Sequence, residues 1–165
     1  MQRNRSAFTL IELAVVLVVI AVSITAVLPT LNNGVLERVR LRSSTKRIAS
    51  VAEYTHQQAA CKQLTHLLHL DTEEGTYWVT CQAPDGQPGR ITQGMQLKGR
   101  LPECVRFMRI ELAGMNMFSQ DAVTIEFDPQ GWADPATIYL ASSKGETMSV
   151  VIDGLSGQVR VCELE

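Results

Sequence analysis

The chain has 165 residues, 45% of them apolar, and a net charge of −2, which allows one domain plus an appendage. Charge is unevenly spread: residues 70–165 hold 14 acids against 7 bases, whereas 31–69 is basic, with Arg38, Arg40, Arg42, Lys46, Arg47 and Lys62 against Glu37 and Glu53. The acidic part disfavours nucleic acid, whose phosphates need basic surfaces, while the basic segment suits anionic headgroups, acidic neighbours or plain solvation.

Met1 to Ala7 is short and polar and contains Arg3 and Arg5. Phe8-Thr-Leu-Ile-Glu12 comes next, and from Leu13 to Leu28 no residue is charged and only Ser23 and Thr25 are polar. Phe8–Leu28 makes about 31 Å of helix at 1.5 Å per residue, the thickness of a bilayer's hydrocarbon core, about 30 Å. The two arginines would hold its amino end in the cytoplasm. An ordinary signal peptide, cut near Ala21-Val-Ser23 or Ala26, would have a shorter apolar core of about 7–15 residues. A generic anchor is a second reading, and a buried core helix does not suit so small a domain. Glu12 stands out, because a carboxylate in a membrane helix costs roughly 2.5–3.5 kcal/mol at the bilayer centre, less toward the edge, and usually has a partner and a function. The plainer reading lets it reach the headgroups.

Ser6-Ala7-Phe8-Thr9-Leu10-Ile11-Glu12 ahead of the apolar run resembles the leader of type IV prepilins and type II secretion pseudopilins. That pattern is a small residue, Phe-Thr-Leu-hydrophobe-Glu, then about twenty apolar residues; Ala7 stands where the family usually has Gly. The resemblance implies cleavage between Ala7 and Phe8 by a prepilin peptidase, N-methylation at Phe8, and a bend at Pro29. It also implies that Glu12 is an assembly residue, lying near the positive amino terminus of a neighbouring subunit. Pairing would offset much of each ion's desolvation and set axial register, since a slip leaves two charges unpaired.

From Leu31 to about Leu70, apolar residues recur in steps of three and four: Leu31, Val35, Leu36, Val39, then Ile48, Val51, Ala52, then Ala59, Ala60, Leu64, Leu67 and Leu68. The expectation is one long helix, its first part in the membrane and its second part packed on a head. On that helix His66 and His69 would share a face. With His56 and Cys61 they lack any recognised ligand spacing, so no metal is expected.

Beyond Thr76 the period shortens. Strands are expected at Thr76–Gln82, Ile91–Leu97, Cys104–Ile110, Ala122–Phe127, Thr137–Ala141, Met148–Ile152 and Gln158–Cys162. Turn formers such as Pro84-Asp-Gly86, Asp128-Pro-Gln-Gly131 and Gly154-Leu-Ser-Gly157 separate them. The fold class is α+β, a long N-terminal helix packed on an antiparallel head. The expected divisions are 1–7 leader, 8–30 membrane and assembly helix, 31–70 periplasmic helix extension, and 71–165 β-rich head.

Cys61, Cys81, Cys104 and Cys162 form no C-x-x-C pair, which argues against a zinc ribbon or thioredoxin-type site. In an exported head oxidation is allowed. Cys61 with Cys81, or Cys104 with Cys162, are candidate disulfides; four buried thiols are the alternative.

Val123-Thr-Ile-Glu-Phe127-Asp-Pro-Gln-Gly131, the strand Thr137–Leu140, Met148–Ile152 and Gly154-Leu-Ser-Gly157-Gln-Val-Arg-Val161 are similar to the C-terminal domain of GspH/FimT-type pseudopilins. That likeness implies Phe127 in the core and Gly131 and Gly157 at turns. No nucleophile motif, phosphate loop or metal signature is present, so neither enzyme activity nor a cofactor is expected. Glu73-Glu74 reads as a solvated loop, and Trp78 and Trp132 as packing residues.

The two resemblances imply a minor pseudopilin of a type II secretion system. It would be a single-pass protein of the bacterial inner membrane with its head in the periplasm. Its partners would be other pilins or pseudopilins, the prepilin peptidase, the inner-membrane assembly platform and membrane lipid. A minor pilin of a type IV pilus, acting in priming, adhesion or DNA uptake, is the alternative; a membrane-anchored periplasmic enzyme is the remote one.

Overall fold

The computed structural model describes residues 10–27, 35–82, 88–90, 97–112, 115–117 and 122–164. The chain divides into two compact units, 1–36 and 37–165. The first contains helix α1, Leu10–Val27. Almost all of a second helix, α2 (Val35–Lys62), lies in the other unit. Whether the two run as one helix, and the bend expected at Pro29, fall outside the described residues.

Helix α2 buries Leu41, Ser44, Thr45, Ile48, Val51, Ala52, Thr55 and Ala59, a stripe in steps of three and four that makes one apolar face. The two buried threonines do not leave hydroxyls unpaired, because Thr45 and Thr55 donate to the carbonyls of Leu41 and Val51 one turn back at 2.8 and 2.6 Å. The helix stops at Lys62, short of the expected Leu70. Gln63 takes a left-handed backbone with φ 54°, and the Leu64 N–H donates to the Ala59 carbonyl at 3.3 Å, a Schellman-type stop. The Gln63 side chain donates to the Ala60 carbonyl at 2.7 Å, meeting another acceptor orphaned at the helix end.

The next element is a strand, β1 (His66–Asp71), in which burial alternates residue by residue. The period of two wins over the helical steps because Leu68 and Leu70 can both enter the core only from a strand. His66 and His69 therefore lie on opposite faces, contrary to the shared helix face expected for them.

Two antiparallel sheets complete the unit. In the first, β2 (Thr76–Gln82) pairs with β1, and β1 with β7 (Val123–Phe127). Two short strands, β3 (Pro88–Arg90) and β4 (Lys98–Arg100), share the outer edge of β2. The second sheet runs in the order β10 (Val159–Leu164), β9 (Thr147–Ile152), β8 (Ala136–Ser142), β5 (Val105–Leu112), β6 (Met115–Met117). The expected strand Ile91–Leu97 lies outside the described residues except Leu97, which is buried but is not in a strand. Strand β1 was not expected, nor were β3, β4 and β6, which at three residues each carry little periodicity.

One core joins the α2 stripe to both sheets, with Leu68, Ile110, Ile125, Phe127, Ile138, Leu140 and Val150 fully buried. Past β7 the chain turns back on it in an isolated bridge between Phe127 and Ala133. Asp128 shapes the turn after β7, its carboxylate accepting from the Gln130 N–H at 2.7 Å, and Gly131 takes φ +98° there. The turn after β9 is built likewise around Asp153, whose carboxylate accepts from the Leu155 and Ser156 N–H groups and from the Ser156 hydroxyl. Those bonds hold its pKa below the ordinary carboxylate value. Phe127 in the core and Gly131 and Gly157 at turns match the sequence expectation.

Among the described residues Cys61 and Cys162 are exposed thiols and Cys81 and Cys104 half-buried ones. Cys162 lies opposite Ser149 on β9, itself opposite Tyr139 on β8, so β10 stands three strands from β5. That is about 14 Å across the sheet at about 4.8 Å per strand, against about 4.4–6.8 Å between the Cα atoms of a disulfide. Cys61 sits two residues past buried Ala59, about 200° round the helix, and is exposed.

Candidate functional site: the N-terminal helix

Between Leu10 and Val27, α1 holds one ionisable residue, Glu12, in its first turn. A carboxylate there meets the positive end of the helix dipole and unpaired backbone N–H groups, which favours it. Apart from Ser23 and Thr25 the remaining residues are apolar, and Leu10, Ile11, Leu13 and Val15–Ile20 are exposed. A helix apolar all round needs an apolar surrounding of lipid or other helices. Ser23 is compatible with such a setting, since its hydroxyl donates to the Val19 carbonyl at 2.7 Å within the helix. Among the described residues no helix is long and apolar enough to cross a membrane. The 18 residues of α1 span about 27 Å, so the expected span depends also on residues 8, 9 and 28. Ala7 and Phe8, the expected processing site, lie outside the described residues.

The histidines serve the fold. His66 is completely buried, with Nδ1 2.7 Å from the Leu64 carbonyl, and burial lowers its pKa. His69 bridges the Thr124 and Thr80 hydroxyls at 3.0 and 2.8 Å and stacks on Trp78, with ring centroids 5.2 Å apart; burial lowers its pKa too. His56 lies 3.0 Å from the Gly131 carbonyl. Among the described residues no three His, Cys, Asp or Glu side chains converge as a metal site would require. Trp78 packs through its stack on His69, while Trp132 is about half exposed. Glu73 and Glu74 sit in the turn between β1 and β2, their N–H groups bound by the Asp71 carboxylate.

Sequence reading missed one grouping: Arg40 and Arg47 on α2 line a cleft with Arg100 from β4. A spacing of seven puts Arg40 and Arg47 on one helix face, but nothing local to Arg100 connects it to them.

A charged first turn on a largely apolar helix, together with a helix packed on two antiparallel sheets, makes an α+β, pilin-like fold. Residues 2–28 match the prokaryotic N-terminal methylation motif. The fold is similar to that of the minor pseudopilin EpsH from the type 2 secretion system of Vibrio cholerae. In two structures of that protein the TM-score is 0.64 at 14% identity, covering 75% and 76% of this chain and 96% and 95% of EpsH. The solution structure of Escherichia coli GspH matches with a TM-score of 0.56 at 14% identity, over 76% of this chain and 89% of GspH. No curated protein matches the chain.

Proposed function

We propose that the chain is a minor pseudopilin of a type II secretion system, a structural subunit of the periplasmic pseudopilus with no catalysis of its own. The observation that carries this reading is the pairing, in one chain, of the methylation motif over residues 2–28 with a head whose fold covers nearly all of EpsH. A type IV pilus subunit would share the motif; the likeness of the head to EpsH and GspH favours secretion.

In this reading a prepilin peptidase cuts between Ala7 and Phe8, and Phe8 becomes the methylated amino terminus. Residues 8–28 then anchor the chain once in the inner membrane, with the head in the periplasm, until the assembly platform adds it to other pseudopilins. Glu12 pairs with the amino terminus of a neighbour. Its cost in the bilayer, up to about 3 kcal/mol, keeps the unassembled helix poised to pair.

The test is Glu12→Ala with site-specific crosslinking to partner pseudopilins in cells. Membrane insertion should persist, since the change removes a charge from an apolar helix, while crosslinking should fall at least tenfold. Unchanged crosslinking would refute the role of Glu12, and an absence of pseudopilin crosslinks in the parent chain would refute the function.

A further inference from the structure

A cleft of about 260 Å³ opens between the first half of α2 and the edge of the first sheet. Its polar lining is Arg40, Ser43, Ser44, Arg47, Tyr77 and Arg100. Arg40 and Arg47 stand two turns apart on α2, and Arg100 comes from β4, so guanidinium groups from two elements border one space. Among the described residues no acidic side chain lines it.

Among the described residues Arg42 pairs with Glu163 and Arg109 with Glu111. Neither involves Arg40 or Arg100. Arg100 Nε donates to the Glu74 carbonyl at 3.2 Å, and Arg40 comes within 3.9 Å of the Cys104 sulfur; both are exposed and lack a carboxylate partner within the described chain.

Tyr77 supplies the independent sign of a ligand. It is 2% exposed, yet its hydroxyl has no hydrogen-bond partner among the described residues. Buried hydroxyls are nearly always paired, because an unmade bond forfeits the solvation left behind in water. The ring is fixed by its neighbour across the strands: Tyr77 lies opposite Gly99 in the β2–β4 register, and a Cβ on Gly99 would overlap the phenol oxygen. Burial raises the phenol pKa, with nearby Arg47 pulling the other way, so at neutral pH the group is a donor awaiting an acceptor.

We propose that this cleft receives the carboxylate of an Asp or Glu side chain from a neighbouring subunit. The volume is below the roughly 300–1,000 Å³ of small-molecule pockets and suits one side chain. Guanidinium groups bind carboxylates through paired N–H donors, and the Tyr77 hydroxyl would take a further oxygen lone pair. Charge complementarity favours a subunit as donor: residues 70–165 of this chain carry 14 acids against 7 bases, so a second copy presents the needed chemistry. That donor rests on the proposed role in pseudopilus assembly; the cleft's affinity for carboxylate does not.

The experiment uses the full chain in detergent micelles, titrated with a capped tetraglutamate peptide, with inorganic phosphate, and with phosphatidylglycerol vesicles. Peptide binding should weaken at least tenfold in Arg40→Gln and in Arg100→Gln, whose side chains are exposed, and severalfold in Tyr77→Phe, each read beside a thermal midpoint that should not change. Absent peptide binding, or binding indifferent to Arg40→Gln and Arg100→Gln, overturns the proposal. Displacement of the peptide by phosphate or by the vesicles at lower concentration than free peptide also overturns it, assigning the cleft to a phosphate group. Because binding is read on the isolated chain and assembly by the Glu12 crosslinks, failure of either is seen separately.

Discussion

Replacing Gly157 with alanine should unsettle the head through two separable effects. Gly157 has φ +63°, where an L-residue costs about 1–2 kcal/mol. A Cβ there would also overlap the His56 ring, which is held by the Gly131 carbonyl at 3.0 Å and lies 6.2 Å from the Phe127 ring, centroid to centroid. Overpacking of this kind costs about 1–3 kcal/mol, so Gly157→Ala should lose about 3 kcal/mol in all. His56→Ala alone gives up a hydrogen bond worth about 1 kcal/mol. In the double variant the overlap disappears and only the backbone strain and the lost bond remain, so the two changes should couple favourably by about 2 kcal/mol. Urea unfolding of the full chain in detergent, followed by tryptophan fluorescence, measures the four free energies. Additivity within about 0.5 kcal/mol would refute the claim that His56 packs against Gly157.

Mass spectrometry of the membrane-extracted chain should find an amino terminus at Phe8 carrying one methyl group; an intact Met1, or a terminus near Val22 or Val27, would contradict the processing assignment. Stability should fall as pH drops below 6.5, because the lowered pKa values of His66 and His69 mean that the unfolded chain takes up protons the folded chain refuses. The slope should be clearest above about pH 5, before carboxylates titrate, smaller in His66→Gln and smaller again in His66→Gln/His69→Gln; an unchanged slope in the double variant would exclude both histidines. Peptide mapping after alkylation under native conditions should yield no peptide linking Cys104 to Cys162, and recovery of one in folded protein would contradict the strand order β10-β9-β8-β5.

Strand β2 runs over Thr76–Gln82 as expected, and β7, β8 and β9 lie within a residue of their expected bounds. Their turn residues and period-two alternation are local signals that the fold leaves in place. The end of α2 was harder to see because Gln63, not glycine, takes the left-handed position, and the helical steps of three and four continue by chance through Leu64, Leu67 and Leu68. Burial of Leu68 and Leu70 against α2 and both sheets decided in favour of a strand.

For the functional site the division is sharper. Glu12 at the head of a long uncharged run is legible from the sequence alone, because a charge in a largely apolar helix is anomalous in any fold. The cleft around Tyr77 is not, because α2, β2 and β4 meet there only through pairings between residues far apart in the chain. Sequence by itself therefore determined the amphipathic and apolar character of each element, which comes from residues a few positions apart. Only the tertiary structure decided which cysteines stay apart, where α2 gives way to β1, and that Arg40, Arg47 and Arg100 line one cleft with Tyr77, since those facts depend on long-range packing that no local period records.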